Sequence, residues 1–99
     1  MKNRKRFAVI GCGFWSQFQI AAWKELPDAE LIAVCDLNIE KAAKTADKFG
    51  AKRYYNNAQE LFENEELDFV DIITNVQTHA DFVKMAANYG VAAICQKPL

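Results

Sequence analysis

Two glycines near the amino terminus have the spacing of a phosphate-binding turn. Gly11 and Gly13 follow the apolar run 7–10, which is typical of a buried parallel strand. Gly11 permits a tight turn, and Gly13 has no Cβ to obstruct a pyrophosphate that approaches the backbone. A helix that begins after this turn directs its free N–H groups and the positive end of its dipole at the phosphates. The spacing therefore predicts a dinucleotide site at this turn.

The first residues of that helix are also candidates for the site. Ser16 replaces the third glycine of the usual G-x-G-x-x-G pattern, and its small side chain predicts close packing of the helix on the strand. Phe14 and Trp15 precede it. Two roles are open for them: both are core aromatics, or one packs under the sheet while the other offers a surface to the cofactor.

An acidic residue ends the second apolar run. Asp36 lies about 20 residues beyond the turn and directly follows the run 31–35. An acidic residue at this point of a dinucleotide fold binds the hydroxyls of the adenosine ribose. Leu37 beside it supplies no positive charge for a 2′-phosphate, which favours NAD over NADP. The alternative role for Asp36 is to cap the helix that follows.

Composition narrows the classes of partner. The chain has 99 residues, of which 52% are hydrophobic and 25% are charged, with a net charge of −1. We expect one soluble globular domain that attracts neither nucleic acid nor a membrane, since it has no strong basic field and no apolar run of membrane-spanning length. Its three cysteines have no close pair, so we expect buried, reduced thiols and no metal site. The apolar run 7–11 is too short for a signal segment, so with no membrane-spanning run either we expect a cytoplasmic location.

Strand and helix patterns alternate along the chain and predict an α/β, Rossmann-type, doubly wound parallel sheet in a single domain. Strands are expected at residues 7–10, 30–35, 52–55, 69–74 and 91–95. Right-handed crossovers and the fingerprint in the first turn predict the strand order 3-2-1-4-5. Phe18, Ala22 and Leu26 are the expected buried face of the first helix, and Thr78 with Asp81 is expected to open the fourth.

Two later segments complete a pattern that resembles a known family. The residues of these segments are Thr74, Asn75, His79, Gln96, Lys97 and Pro98. With the glycine turn and Asp36, they are similar to the NAD(P)-binding Rossmann domain of the Gfo/Idh/MocA oxidoreductases, the family of glucose–fructose oxidoreductase and inositol dehydrogenase. The family usually has Thr-Pro-x-x-x-His and Glu-Lys-Pro here, so Asn75 stands in place of the proline and Gln96 in place of the glutamate.

The resemblance implies roles for these residues. Lys97 is the expected catalytic residue, because its ammonium group can hydrogen-bond the reacting hydroxyl and stabilise the charge that develops on that oxygen. A solvated surface lysine is the alternative. Gln96 and Pro98 are expected beside Lys97 at the cofactor, and Thr74 and Asn75 at the ribose on the nicotinamide side.

His79 has two open roles. As the only histidine of the chain, it either shapes the loop after the fourth strand or contacts the cofactor directly.

The function that the resemblance implies is hydride transfer between a nicotinamide cofactor and a sugar, cyclitol or related hydroxyl or carbonyl compound. The family's C-terminal domain, which contacts the small-molecule substrate, is absent from these residues. We therefore expect residues 1–99 to be a dinucleotide-binding domain that is inactive alone. Two other functions stay open, a non-catalytic NAD(H) sensor or assembly module and a Rossmann-type methyltransferase; the Lys97–Pro98 pair favours the enzyme. Homo-oligomerisation of a longer protein also stays open.

Overall fold

Strands and helices alternate as the sequence pattern predicts. The computed structural model describes residues 4–74 and 76–95, without the side chains of residues 76 and 77. In chain order, the elements of these residues are β1 (Lys5–Ile10), α1 (Phe14–Lys24), β2 (Ala29–Cys35), α2 (Ile39–Phe49), β3 (Arg53–Tyr55), α3 (Ala58–Asn64), β4 (Phe69–Ile72), α4 (Val76–Asn88) and β5 (Ala92–Cys95).

All strand pairs are parallel, and the sheet has the order β3-β2-β1-β4-β5. The predicted fold class and strand order are therefore confirmed. The bounds differ by up to two residues at the ends of strands. In particular, β4 ends at Ile72 rather than Thr74, since its partner β1 ends at Ile10, whose carbonyl accepts from the N–H of Ile73 at 2.8 Å.

Each face of the sheet has its own core because side chains alternate along the strands. Phe7 and Val9 of β1 belong to the core under α1 and α2, whereas Ala8 and Ile10 belong to the core under α3 and α4. All four side chains are buried. The near-continuous apolar run of β1 is thus a consequence of helices on both faces.

The predicted buried face of α1 is wrong. Phe18 is 58% exposed and Leu26 is 49% exposed, while Ser16 and Ile20 are fully buried. Trp23 completes the inner side of the helix, where its Nε1 donates to Asp71 Oδ2 at 2.7 Å. With Ser16, Ile20 and Trp23 on the inner side of α1, Phe18 lies on the outer side.

Two smaller expectations also fail. Helix α4 begins at Val76, so Thr78 lies in its first turn and does not precede it. The three cysteines, all among the described residues, form no disulfide; Cys12 and Cys35 are buried as expected, but Cys95 is exposed. Cys95 is exposed because β5 is an outer strand of the sheet, with a neighbour on one side only.

Candidate functional site

The carboxyl edge of the sheet, where the parallel strands end, gathers most of the described candidate residues. Gly11, Asp36 and Thr74 follow β1, β2 and β4, and all three line one cavity of about 200 Å³. Its lining residues are Ile10, Gly11, Cys35, Asp36, Leu37, Asn56, Ala58, Thr74, Thr78 and Phe82. Since strand order reverses between β1 and β4, this is the place where an open α/β sheet binds ligands.

Gly11 is required by the backbone. Its φ of 107° is a conformation that side chains disfavour, and a Cβ at this position would lie 2.3 Å from the carbonyl oxygen of Ile73. The turn therefore passes close to the end of β4, and only glycine fits there.

Gly13 is not required by the described fold. Its φ is −81°, which any residue adopts, and a Cβ at Gly13 would meet no described atom within 4 Å. The open space in front of it is the space that a pyrophosphate would need. Glycine at this N-cap position therefore leaves room for a ligand to approach the backbone.

The amino terminus of α1 lacks the cap that two other helices have. Asn38 caps α2 and Asn57 caps α3, each accepting two hydrogen bonds from first-turn N–H groups. Gly13 provides no side-chain cap for α1, and the first turn contains no acidic residue. Within the described residues, the positive end of α1 is therefore available to an anion in front of Gly13.

Asp36 links the glycine turn to the next helix. Its Oδ2 accepts from the N–H of Cys12 at 2.8 Å, and its Oδ1 accepts from the N–H of Asn38, also at 2.8 Å. The alternative role, a cap for α2, is wrong, because Asn38 caps that helix. Each carboxylate oxygen accepts more than one hydrogen bond and Asp36 also lines the cavity, so binding of the ribose stays a prediction.

The two buried thiols at this edge, those of Cys12 and Cys35, are unreactive at neutral pH. Burial raises the pKa of Cys12 to about 11 and that of Cys35 to about 12. Both therefore stay protonated at neutral pH, and a thiol reacts or binds metal as the thiolate. Cys12 and Cys35 therefore serve as small, buried core side chains.

The loop after β4 is held by its own side chains. His79 Nε2 lies 2.8 Å from the carbonyl oxygen of Thr74, and because a carbonyl only accepts, this nitrogen donates. Thr78 Oγ1 donates to Thr74 Oγ1 at 2.7 Å. These contacts support the loop-shaping role for His79.

Phe14 and Trp15 are not core aromatics. Phe14 is 70% exposed and Trp15 is 46% exposed, so neither packs under the sheet. Their rings contact each other with centroids 5.4 Å apart, and both contact Phe18. The expectation that one of them lies under the sheet is wrong, and a surface toward the cofactor stays a prediction for either.

Several residues at this edge were missed by reading the sequence alone. Asn56 follows β3, a strand whose end we did not consider, and Phe82 of α4 also lines the cavity. A second hollow beside Cys12 contains three lysines of α2: Lys41, Lys44 and Lys48. Their spacing of three and four residues in a helix could have indicated this one-sided positive surface.

Four candidates, Asn75, Gln96, Lys97 and Pro98, lie outside the described residues. Among residues 4–74 and 76–95, no three His, Cys, Asp or Glu side chains are grouped as a metal site requires. In the same ranges, the helices are too short or too polar to cross a bilayer.

Comparison with known proteins gives one family and several relatives. The family described as an oxidoreductase family with an NAD-binding Rossmann fold, Gfo/Idh/MocA, matches residues 5–99. D-apiose dehydrogenase of Paraburkholderia graminis is 46% identical over 95% of the chain and 26% of its own length. Myo-inositol 2-dehydrogenase of Thermotoga maritima is 29% identical over 95% of the chain and 28% of its own length.

A solved structure has the same fold. It is an oxidoreductase from Agrobacterium radiobacter in complex with NAD+, L-tartaric acid and magnesium, 44% identical, with a TM-score of 0.91. The comparison covers 97% of this chain and 28% of that one. The chain therefore spans between a quarter and a third of the length of these relatives.

Proposed function

Because the chain belongs to the Gfo/Idh/MocA oxidoreductases as an NAD-binding domain, we propose that its carboxyl edge holds NAD in a defined direction. The pyrophosphate lies in front of Gly13, at the uncapped start of α1, and the adenosine ribose lies on Asp36. The family match confirms the resemblance and the cofactor; the placement of NAD on these residues is our proposal. The observation that supports it most is the open space at Gly13, where a Cβ would meet no described atom within 4 Å.

The adenine half of the cofactor fits the cavity beside Asp36. Its walls are mostly apolar, with Leu37 and Phe82 among them, and Asn56 and Thr78 add polar groups. A volume of about 200 Å³ is below the range of about 300–1,000 Å³ for pockets that enclose whole ligands, so it suits one part of a dinucleotide.

In a protein of the relatives' length, we propose that this domain serves a dehydrogenase for a sugar, cyclitol or related hydroxyl compound. The relatives' names support this substrate class. NAD, when bound, accepts the hydride. Lys97 holds the substrate hydroxyl by a hydrogen bond and stabilises the negative charge that develops on that oxygen while its proton passes to a base of the C-terminal domain and the hydride leaves the carbon. A C-terminal domain supplies the remaining substrate contacts, so residues 1–99 alone bind NAD without turnover.

The test is a fusion of residues 1–99 to the remainder of the Paraburkholderia graminis D-apiose dehydrogenase. We expect the fusion to oxidise D-apiose with NAD. Lys97→Ala should lower kcat by about 10²–10⁴-fold with little change in the dissociation constant of NAD, because the charge matters chiefly in the transition state. Lys84→Ala, which removes an exposed lysine of α4, is the control. Equal loss of kcat in both variants would remove Lys97 from the mechanism.

The proposed location is cytoplasmic. Cys12 and Cys35 are buried thiols without a disulfide, and such thiols are typical of proteins in a reducing compartment.

A further inference from the structure

Hydrogen bonds between side chains lead from α2 to the glycine turn. Lys48 Nζ of α2 lies 3.2 Å from Gln17 Oε1 of α1. Gln17 Nε2 lies 3.1 Å from Ser16 Oγ, which in turn lies 2.6 Å from the carbonyl oxygen of Gly13. We call the side chains of Lys48, Gln17 and Ser16 the Gln17 network. It connects the lysine-lined hollow beside α2 to the residue in front of which we place the pyrophosphate.

The positive charge of Lys48 sets the direction of the donors in this network. An ammonium group only donates, so the amide atom of Gln17 that faces Lys48 is the oxygen, and the amide nitrogen faces Ser16. The two hydrogens of that nitrogen have two acceptors, Ser16 Oγ and, at 3.4 Å, Thr45 Oγ1. Because Ser16 Oγ accepts from Gln17, its own hydrogen points to the carbonyl of Gly13. The donors therefore all point from α2 toward the turn.

Close packing explains a small residue at position 16, but it does not explain the hydroxyl group. Ser16 is fully buried, and alanine would be as small and favours a helix more. A buried hydroxyl group costs free energy unless it makes hydrogen bonds, and that of Ser16 makes one as donor and one as acceptor. The serine in place of the third glycine thus links Gln17 to the turn.

The carbonyl of Gly13 and the N–H of Phe14 belong to one peptide group. A donor on the oxygen polarises this group, so its N–H becomes a stronger donor. Phe14 is the first residue of α1, and among residues 4–74 and 76–95 its N–H has no acceptor. The free N–H groups at the start of a helix point out of that end, where a phosphate can accept from them.

We propose that the Gln17 network positions the pyrophosphate: Ser16 and Gln17 hold the peptide group between Gly13 and Phe14 and strengthen the Phe14 N–H as a donor to a phosphate oxygen. This role rests on the proposed function, which places the pyrophosphate in front of Gly13, and it adds the side chains that prepare that place. Ser16 and Gln17 are positioning residues, because they act through the peptide group. Lys48 is exposed, so water screens its charge and its effect is smaller.

Binding of ADP-ribose and of adenosine to the chain distinguishes positioning from stability. ADP-ribose contains the pyrophosphate and adenosine does not, so only ADP-ribose needs the Phe14 N–H. Ser16→Ala should raise the dissociation constant of ADP-ribose about 2- to 12-fold, the net contribution of one hydrogen bond, and leave that of adenosine unchanged. NMR titration of the 15N-labelled chain measures both constants. The downfield shift of the Phe14 amide proton on binding of ADP-ribose should also become smaller in the variant.

Two lysines of α2 provide a matched pair of variants. Lys48→Met and Lys44→Met each remove one positive charge from the same hollow, but only Lys48 donates to Gln17 among the described residues. Lys48→Met should therefore weaken binding of ADP-ribose about twofold more than Lys44→Met does. Equal effects of the two variants would mean that only the general positive charge of the hollow matters, and would remove Lys48 from the network.

The remaining results are distinguishable. An equal loss of affinity for ADP-ribose and adenosine in Ser16→Ala would mean a purely structural role and overturn the proposal, and so would an unchanged affinity for ADP-ribose. Both results leave the proposed function intact. A wild type that binds neither ADP-ribose nor NAD would instead remove the proposed function. If Ser16→Ala does not fold, Gln17→Leu, at a half-buried position, makes the same comparison.

Discussion

Asp36 and Glu65 are two carboxylates that this fold holds in opposite ways. Asp36 accepts from the backbone N–H groups of Cys12 and Asn38 and lines the cavity at the carboxyl edge. Glu65 is buried and accepts from the side chains of Arg53 and Tyr55. Charged and hydroxyl side chains thus surround Glu65, whereas Asp36 keeps a side open to a ligand. Asp36 is therefore the carboxylate that we propose for binding, whereas Glu65 stabilises the fold.

The groups around Glu65 show what a structural carboxylate does to its neighbours. Burial by itself would raise the pKa of Glu65, but the hydrogen bonds from Arg53 and Tyr55 outweigh it, so the pKa is lowered. Burial, followed by the bond to Glu65, raises the pKa of Tyr55 to about 12. The charged form of Glu65 therefore ties β3, where Arg53 and Tyr55 lie, to the end of α3.

At the carboxyl edge of the sheet, where Asp36 lies, we expect the largest loss of NAD affinity from Gly13→Val. The new side chain enters the open space in front of α1, so affinity for NAD should fall at least about 100-fold while the fold remains. Calorimetric titration and thermal melting monitored by circular dichroism measure the two properties. Gly11→Ala is the matched change in the same turn, and it should unfold the domain because its Cβ meets the carbonyl of Ile73. Normal NAD binding by Gly13→Val would place the phosphates elsewhere.

Asp36→Ser should have the next largest effect. A hydrogen bond to a charged group contributes about 1.5–3 kcal/mol, so affinity for NAD should fall about 10- to 150-fold. The variant also lacks the carboxylate that repels a 2′-phosphate, so the difference in affinity between NAD and NADP should become smaller. Lys41, which lies beside the turn, adds a positive charge that favours the 2′-phosphate.

Titration of both cofactors against the wild type and Asp36→Ser measures this change, with Asp47→Ser as a control on the exposed side of α2. Equal affinity of the wild type for NAD and NADP would contradict the role of Asp36.

Glu65→Gln should change stability and leave NAD affinity unaltered. Loss of the charged acceptor is expected to cost about 1–3 kcal/mol of unfolding free energy at pH 7. Because the folded-state pKa of Glu65 is lowered, its contribution is complete above the unfolded value of about 4.3 and disappears as pH falls through the folded value. Urea unfolding at pH 7 and near pH 3 should show the difference between wild type and variant shrink in acid. A difference that persists at low pH would mean that the charge is not its source.

The sequence predicted the fold well because strand order depends on local signals. The glycine turn, the crossover rule and the alternation of elements were enough for β3-β2-β1-β4-β5. The prediction of which face of α1 is buried was wrong, although the sequence contained the information needed to correct it. Ser16 and Phe18 are two positions apart, about 200° around a helix, so close packing of Ser16 on the strand already excluded Phe18 from the core. For the buried face of α1, the packing required of Ser16 after the glycine turn is a better guide than the spacing of the apolar residues.

Parts of the candidate site depended on three-dimensional proximity that spacing does not reveal. Asn56 reaches the cavity only because β3 lies beside β2. The contact of Asp36 with the N–H of Cys12 joins two turns that are distant in sequence. Lys97 stays a prediction from the family resemblance.

Titration of the 15N-labelled chain with NAD, followed by NMR, tests most directly the claim that the carboxyl edge holds the cofactor. The largest shifts of amide signals should occur at residues 11–16, at Asp36 and Leu37, and at Thr74 and Thr78. The amides of Arg53 and Glu65 should hardly move. Shifts centred on Arg53 and Glu65, or spread evenly over the chain, would contradict the account.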